Sequence, residues 1–364
     1  MLRIASFNLE NLFTRPSAMN NDDDATGSQA IEDHAKANAI AQKDVYTQEE
    51  KADLVALSQR YGWHERNAPT NALVKLMKIR GQLFSSAGGV LRVVANGNAD
   101  WTGWFELRRE DISWEATSNT GRVIFETNPD ILIVVEVENR PTLNRFNIQV
   151  LKNIFNLDYP HAMVIDGNDE RGIDVGILSK FPVVEIRSHV DDLNAAGNTI
   201  FSRDCPEYDV LLPDGTQLVI LPNHFKSKRN GNDQASQRRR VAQGKRTHEI
   251  AISALNRADL VLVGGDLNDT PDSNTLNELL KAGFEDIITH QTYPTDRPGT
   301  FGTGLIGNKI DYLIMSPELK AKLRATGIER RGSYHPRTWQ PFDTVTSSGN
   351  EASDHHLVWA DFDL

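Results

Sequence analysis

The chain has 364 residues, 39% of them hydrophobic and 24% charged, with a formal net charge of -11. That length is enough to bury a substantial core, the balance excludes a disordered or fibrous chain, and the charge excludes a polycation that coats nucleic acid without selectivity. The single cysteine, Cys205, excludes an internal disulfide framework, and no apolar run approaches the ~20 residues a membrane span requires.

From Met1 the chain enters a strand pattern, Leu2 to Phe7, with no basic and apolar leader pattern; the expected location is cytoplasmic, or secreted if a leader has been removed. Residues from about Thr14 to Thr117 form a connection far longer than the ~12–15 residues at which a structureless loop becomes unusual, so this segment is expected to fold as an insertion. Within it, Asn20 to Asp24 reads as an acidic loop. Thr47 followed by Glu50 is a capping box opening a helix through about Arg60. Thr70 is expected to cap a second helix with an apolar face of Leu73, Leu76, Met77 and Phe84. Val90 to Ala95 and Trp101 to Arg108 are expected to form a hairpin around Asn96-Gly97-Asn98.

Beyond the insertion, short apolar runs read as buried strands: Ile131 to Val135, Val175 to Leu178, Leu218 to Leu221, Leu260 to Val263, Ile310 to Met315 and Leu357 to Phe362. Helical patterns lie between them at Asn119 to Thr127, Gln234 to Leu255 and Ser273 to Ala282. Val183 to Ser188, Thr199 to Arg203, and Tyr208 to Leu212 into Leu218 to Leu221 follow one another without helices, which adds antiparallel hairpins and predicts a mixed sheet.

Polar residues gather where these strands end. Asn8 and Glu10 close the first strand at alternate positions that share a face. Glu136 tips a strand too apolar to be exposed, where a carboxylate needs a cation or a donor. His224 follows Leu218 to Leu221. The run Leu260-Val261-Leu262-Val263-Gly264-Gly265-Asp266-Leu267-Asn268 is a buried strand entering two glycines and an Asp-x-Asn pair suited to face one phosphate. Asp311 lies in an apolar strand, and Asp354-His355 precedes the last one. A pairing of Asp311 with His355 holds the imidazole in one tautomer and raises its basicity. Lys226, Lys228 and Arg229, then Arg238 to Arg240, Lys245 and Arg246, form a cationic tract in an acidic chain.

In this order, Asn8/Glu10, Glu136, His224, Asp266/Asn268, Asp311 and Asp354/His355 resemble the motifs of the endonuclease/exonuclease/phosphatase superfamily, which includes deoxyribonuclease I, exonuclease III and the neutral sphingomyelinases. The resemblance implies an α/β (α+β) fold: a four-layer α/β/β/α sandwich of two mixed β-sheets with helices outside, DNase I-like. It implies one domain over 1–364 with the insertion at about 14–117. It further implies Mg2+ (or Mn2+), with Ca2+ as a further option, and a metal site of Asn8, Glu10 and Glu136, Asp354 being a further ligand or orienting residue. His224, Asn268 and His355 would contact the scissile phosphate. Asp266 would orient or deprotonate water, Asp311 would hold His355, and either Asp266 or the His355–Asp311 pair would be the base. Arg203 matches an arginine near the phosphate cleft. The loop wording is most similar to bacterial secreted-type DNases, so the expected substrate is DNA, possibly RNA, tracked by Lys226, Lys228 and the rest of the cationic tract. The alternative is a phosphatase or a phospholipase C-type hydrolase of small or lipid phosphate esters. Trp101, Trp104 or Trp114 would stack on bases only if they are not packed in the core. Neither a membrane anchor nor an obligate protein partner is expected.

Overall fold

Strand β1 (Leu2–Leu12) opens the chain, and the next four strands are β2 (Val74–Gly81), β3 (Phe84–Ser85), β4 (Arg92–Val93) and β5 (Trp101–Leu107). There follow β6 (Ile131–Val137), β7 (His161–Ile165), β8 (Asp174–Ser179), β9 (Val183–Arg187), β10 (Glu207–Leu211) and β11 (Gln217–His224). The last five are β12 (Leu260–Asp266), β13 (Glu285–Asp286), β14 (Asp311–Met315), β15 (Leu323–Glu329) and β16 (Leu357–Phe362). The structure is a computed structural model and describes residues 1–12, 24–65, 69, 71–108, 113–169, 172–228, 233–288 and 297–364. Contacts divide the chain into one unit of Met1–Phe13 with Ile112–Leu364 and another of Thr14–Asp111.

In the larger unit, one sheet has the order β15-β16-β1-β6-β8-β7 and the other β13-β14-β12-β11-β10-β9. Both are mixed: β1 runs parallel to β6 and antiparallel to β16, while β11 runs parallel to β12 and β12 antiparallel to β14. Alternation along each strand decides the layers. Ile4, Ile131, Ile133 and Ile177 of the first sheet pack with Leu218, Ile220, Leu262 and Leu313 of the second in one buried cluster. The intervening residues of the first sheet, Ala5, Phe7, Leu132 and Val134, pack instead on Val123, Ile124, Leu143 and Val150 from the helical segments. On the second sheet, Val219, Leu221, Val261 and Ile314 pack on Ile250, Ala251 and Leu276. Three cores therefore separate four layers, as the α/β/β/α expectation requires. Helix Trp114–Thr127, whose first residues fall inside the expected insertion, belongs to this unit: the hydroxyl of Ser113 accepts from Ala116 N, and Asn128 in the left-handed region closes the helix. Thr199 to Arg203 forms no strand. A single bridge joins Leu193 to Thr199, and the carbonyls of Thr199, Ile200 and Phe201 face the Arg239 guanidinium instead of a neighbouring strand.

The smaller unit contains the capped helix as expected. Gln48–Tyr61 opens on a reciprocal Thr47–Glu50 capping box and ends at Gly62 in the left-handed region. Two expectations are overturned. Val74–Gly81 is a strand rather than a helix, paired antiparallel with β5; its short apolar spacing is compatible with either period, and a partner strand distant in sequence decides. Val90 to Ala95 does not pair with Trp101 to Arg108, because β4 pairs with β3. Residues 96–98 pack on 43–46 instead of forming a hairpin turn: Tyr46 N donates to Asn96 O, and Asn98 N to Lys43 O. Trp101 is a core residue whose indole N–H donates to Tyr46 Oη at 2.8 Å, while Trp104 and Trp114 are exposed. Thr70 and most of the acidic stretch from Asn20 to Asp24 lie outside the described residues.

One buried ion pair supports the second sheet. Lys309 Nζ lies 2.9 Å from Asp286 Oδ2 and 3.5 Å from the centre of the Tyr312 ring, with both charged residues buried. Removing one partner strands a charge in an apolar setting, so Lys309→Met is expected to cost about 3–5 kcal/mol. In urea denaturation, the double variant with Asp286→Leu should recover most of that loss; equal losses in the two would contradict the pairing.

Candidate active site

The positions that face the inter-sheet core continue, at the strand ends, as polar residues. On β11 the sequence Leu218, Ile220 leads by parity to His224; on β12, Leu260, Leu262 leads to Asp266; on β14, Met315, Leu313 leads back to Asp311. Strand register sets these three side by side: His224 opposes Asp266, and Asp266 opposes Asp311. All three are buried. On the opposite sheet the same parity carries Leu2 and Ile4 to Asn8.

Glu136 departs from this rule. After Ile131, Ile133 and Val135, strict alternation would turn residue 136 away from the inter-sheet side. The β6 register shifts there, and Glu136 takes φ 62, a conformation that non-glycine residues rarely adopt. This bulge brings Glu136 Oε1 to 3.2 Å from Asn8 Nδ2 and 4.0 Å from His224 Nε2. Glu10 on β1 has φ 45 and Asn268 after β12 has φ 50, so three strained backbones surround one pocket. Glu10 accordingly does not share a face with Asn8 in the simple way its spacing predicts. Its amide donates to Asn8 Oδ1, and its carboxylate accepts from Asp354 N at 2.9 Å.

The two sheets meet at Asn8. Its Nδ2 lies 3.4 Å from Asp266 Oδ2 and 3.4 Å from His355 Nε2. His355 Nδ1 donates to Asp311 Oδ2 at 2.9 Å, the pairing read from the sequence. Asp266 accepts from Asn268 twice, from its backbone N at 2.8 Å and from Nδ2 at 3.1 Å, and His224 Nε2 lies 3.7 Å away. Burial and the neighbouring Asp311 push the Asp266 carboxyl up to about 7. Burial opposes charge on His355, but Asp311, Asp266 and Asp354 outweigh it and hold the imidazole well above its ordinary value. Loss of water and repulsion from Asp354 push Glu10 to about 7, and burial likewise raises Asp354.

This crowd of acids is the test of whether a divalent cation fits. Asn8, Glu10, Glu136 and Asp354 offer hard oxygen donors, and mutual repulsion among the carboxylates is relieved by a positive ion. Among the described residues, Asp266, Asp311 and His355 also form a group whose ligand atoms lie within 4.8 Å of one another, but Asp311 and His355 already satisfy each other there.

Several of the basic residues expected to track a polyanion are engaged within the fold, while Arg238 and Lys245 are exposed. Arg240 is buried, with Nε donating to Asp269 Oδ2 and Nη1 to Lys226 O, which joins the loops carrying Asn268 and His224. Lys228 Nζ pairs with Asp269 Oδ1 at 2.7 Å. Arg239 is turned toward backbone carbonyls, and Arg246 pairs with Asp192 and Glu249. Arg229 lies outside the described residues. Arg203 is buried, pairs with Asp169 at 2.8 Å and reaches Phe225 O, so it braces the residue beside His224. Lys226 anchors its loop through its backbone, donating to Gln243 Oε1.

Sequence reasoning missed Ser353 and Arg240 as site-building residues. Ser353 Oγ donates to Asn8 O at 2.9 Å and accepts from His355 N at 3.0 Å, tying β1 to the histidine segment. Ser353 stands directly before Asp354-His355, and that adjacency was the available signal, whereas nothing local distinguished Arg240 from its two arginine neighbours.

The sequence pattern of the Endonuclease/Exonuclease/phosphatase family matches residues 113–355, well over half of the chain. The chain belongs to that family. As a family member it is a metal-dependent phosphoric ester hydrolase. The matched span omits Asn8 and Glu10, which the fold alone brings to the site. No curated protein matches the chain. Among solved structures it is similar to truncated TDP2 of Caenorhabditis elegans, at 17% identity and a TM-score of 0.47 over 68% of this chain and 89% of that one. It is also similar to the human Nocturnin catalytic domain with bound sulfate, at 17% identity and a TM-score of 0.47 over 70% and 88%. A third is the 3′ phosphatase NExo from Neisseria bound to a product DNA hairpin, at 16% identity and a TM-score of 0.46 over 67% and 92%. Among the described residues, no helix is long and apolar enough to cross a membrane.

Gly265 supplies a check on the geometry. It sits at φ +129, and a Cβ there would lie 2.0 Å from the Asn223 carbonyl oxygen. Gly265→Ala is therefore expected to destabilise the family member by more than about 3 kcal/mol and to misplace Asp266. An unaltered thermal melt would contradict this placement.

Proposed function

We propose that this family member is a nuclease that hydrolyses the phosphodiesters of DNA, with RNA as a second polymer, by in-line attack of water on phosphorus. The supporting observation is convergence: residues from the ends of β1, β6, β11, β12 and β14 and from the segment before β16 occupy one pocket. Asn8, Glu10, Glu136 and Asp354 would hold Mg2+, or Mn2+ in its place. When bound, the ion neutralises charge developing on a phosphate oxygen.

The chain's own groups supply the remainder. Asp266, raised to about 7 by burial, is suited to orient the attacking water and take its proton near neutral pH. His355 presents Nε2 to the pocket while Asp311 holds Nδ1, and as an imidazolium it stabilises negative charge on the phosphoryl oxygens. His224 and Asn268 flank Asp266 and complete the set of donors. Lys226, on the loop after β11, is the candidate for contact with the flanking backbone, Lys228 reaches it only by releasing Asp269, and Arg203 braces that loop from inside. In this reading the 14–111 unit is an insertion into a single catalytic domain spanning 1–364.

A second reading has its own observation. Arg239, Arg240, Arg246 and Lys228 are engaged within the fold, which weakens a track for a long polyanion and favours a small or lipid phosphate ester. Plasmid DNA, RNA, bis(p-nitrophenyl) phosphate and sphingomyelin, each tested with Mg2+ and with EDTA, separate the two. Plasmid nicking that EDTA abolishes supports the nuclease, and release of terminal phosphate alone or of a lipid head group supports the second reading. Asp266→Ala and His355→Ala are expected to lower turnover by about 10³-fold or more while keeping the fold. Near-normal rates in both variants would overturn the role assignment.

A further inference from the structure

We propose that Thr300 is the positioning residue of the Asp311–His355 pair, fixing the carboxylate through its hydroxyl and the histidine segment through its backbone. The inference rests on the reading above that this pair serves hydrolysis.

Thr300 is fully buried and is not among the residues that the sequence marked for the site. A hydroxyl has one proton and two lone pairs. Here Thr300 Oγ1 accepts from Ile310 N at 3.1 Å and from Asp311 N at 2.9 Å, so both lone pairs are occupied. Its proton is left one partner, Asp311 Oδ2 at 2.7 Å. The same carboxylate oxygen receives His355 Nδ1, so two donors on one oxygen fix the Asp311 rotamer. An ionised carboxylate only accepts, which keeps the proton on Nδ1 and leaves Nε2 facing Asn8 and Asp266.

The backbone of the same segment holds the other half of the pair. His356 N donates to Thr300 O at 2.7 Å, and Gly302 N donates to Asp354 O at 3.0 Å. This antiparallel bridge sets Phe301 against His355, and their rings meet edge to face with centroids 5.0 Å apart. One short segment thus determines where both members of the pair stand. Serine preserves the hydroxyl, valine preserves the shape without it, and cysteine keeps the size with a weak donor.

The test compares Thr300→Val, Thr300→Cys and Thr300→Ser on the full chain, alone and in the Asp311→Asn background. Turnover is followed on bis(p-nitrophenyl) phosphate in Mg2+, and folding is checked by thermal melting. Thr300→Val and Thr300→Cys are expected to lower kcat by about 10–100-fold with KM within about threefold, and Thr300→Ser to stay near the wild-type rate. In the Asp311→Asn background, Thr300→Val should cost little more, because its action passes through Asp311. If Thr300→Val fails to fold, Thr300→Cys decides. Full activity of a folded valine or cysteine variant, failure of serine to rescue, or an additive loss on Asp311→Asn would each overturn the proposal. Should Asp311→Asn and His355→Ala themselves keep their turnover, the reading of the pair fails instead.

Discussion

Burying ionisable groups between two apolar sheets is expensive, and the site is arranged around that cost. Asp266 and Asp311 sit in adjacent strands at the end of a core otherwise built of Ile, Leu and Val, with His224 and His355 beside them. Each acid lies near an imidazole or an amide donor: Asp311 has His355, and Asp266 has Asn268 and Asn8. Among the described residues, the acids Glu136, Glu10 and Asp354 have fewer donors, Glu136 one from Asn8 and Glu10 one from the Asp354 amide. In the proposed reading, their repulsion is the physical reason a divalent cation would sit on their side.

The two sheets contribute differently. The second delivers its residues by plain register, since His224, Asp266 and Asp311 are neighbours along one row of hydrogen-bonded strands. The first relies on irregularity. Positive φ at Glu10 and Glu136 re-aims side chains that a regular strand would send elsewhere. Strain of this kind persists where surrounding packing holds it, and here Ser353 supplies part of that hold by joining β1 to the His355 segment.

Much of this could be read from residues in order. The apolar runs predicted the strands because both faces of each are buried, and their polar last residues predicted the site because parity carries the core-facing side into it. Glu136 was legible as a buried acid, but the bulge that directs it was not, because a one-residue register shift leaves no local mark. Val74–Gly81 was misread because its pairing with β5 lies outside any local window. The placement of the individual arginines was not legible for a related reason: charge in sequence does not say whether a guanidinium faces solvent, a carbonyl or a carboxylate, and Arg240 turns inward to Asp269 while Arg238 is exposed.

Locating the cation tests the account most directly. Crystals of the protein soaked with Mn2+ should show an anomalous peak bounded by Asn8 and Glu136, toward Glu10 and Asp354, and the peak should vanish in Glu136→Gln. A peak centred instead between Asp266 and Asp311, or an unchanged peak in the variant, would contradict it.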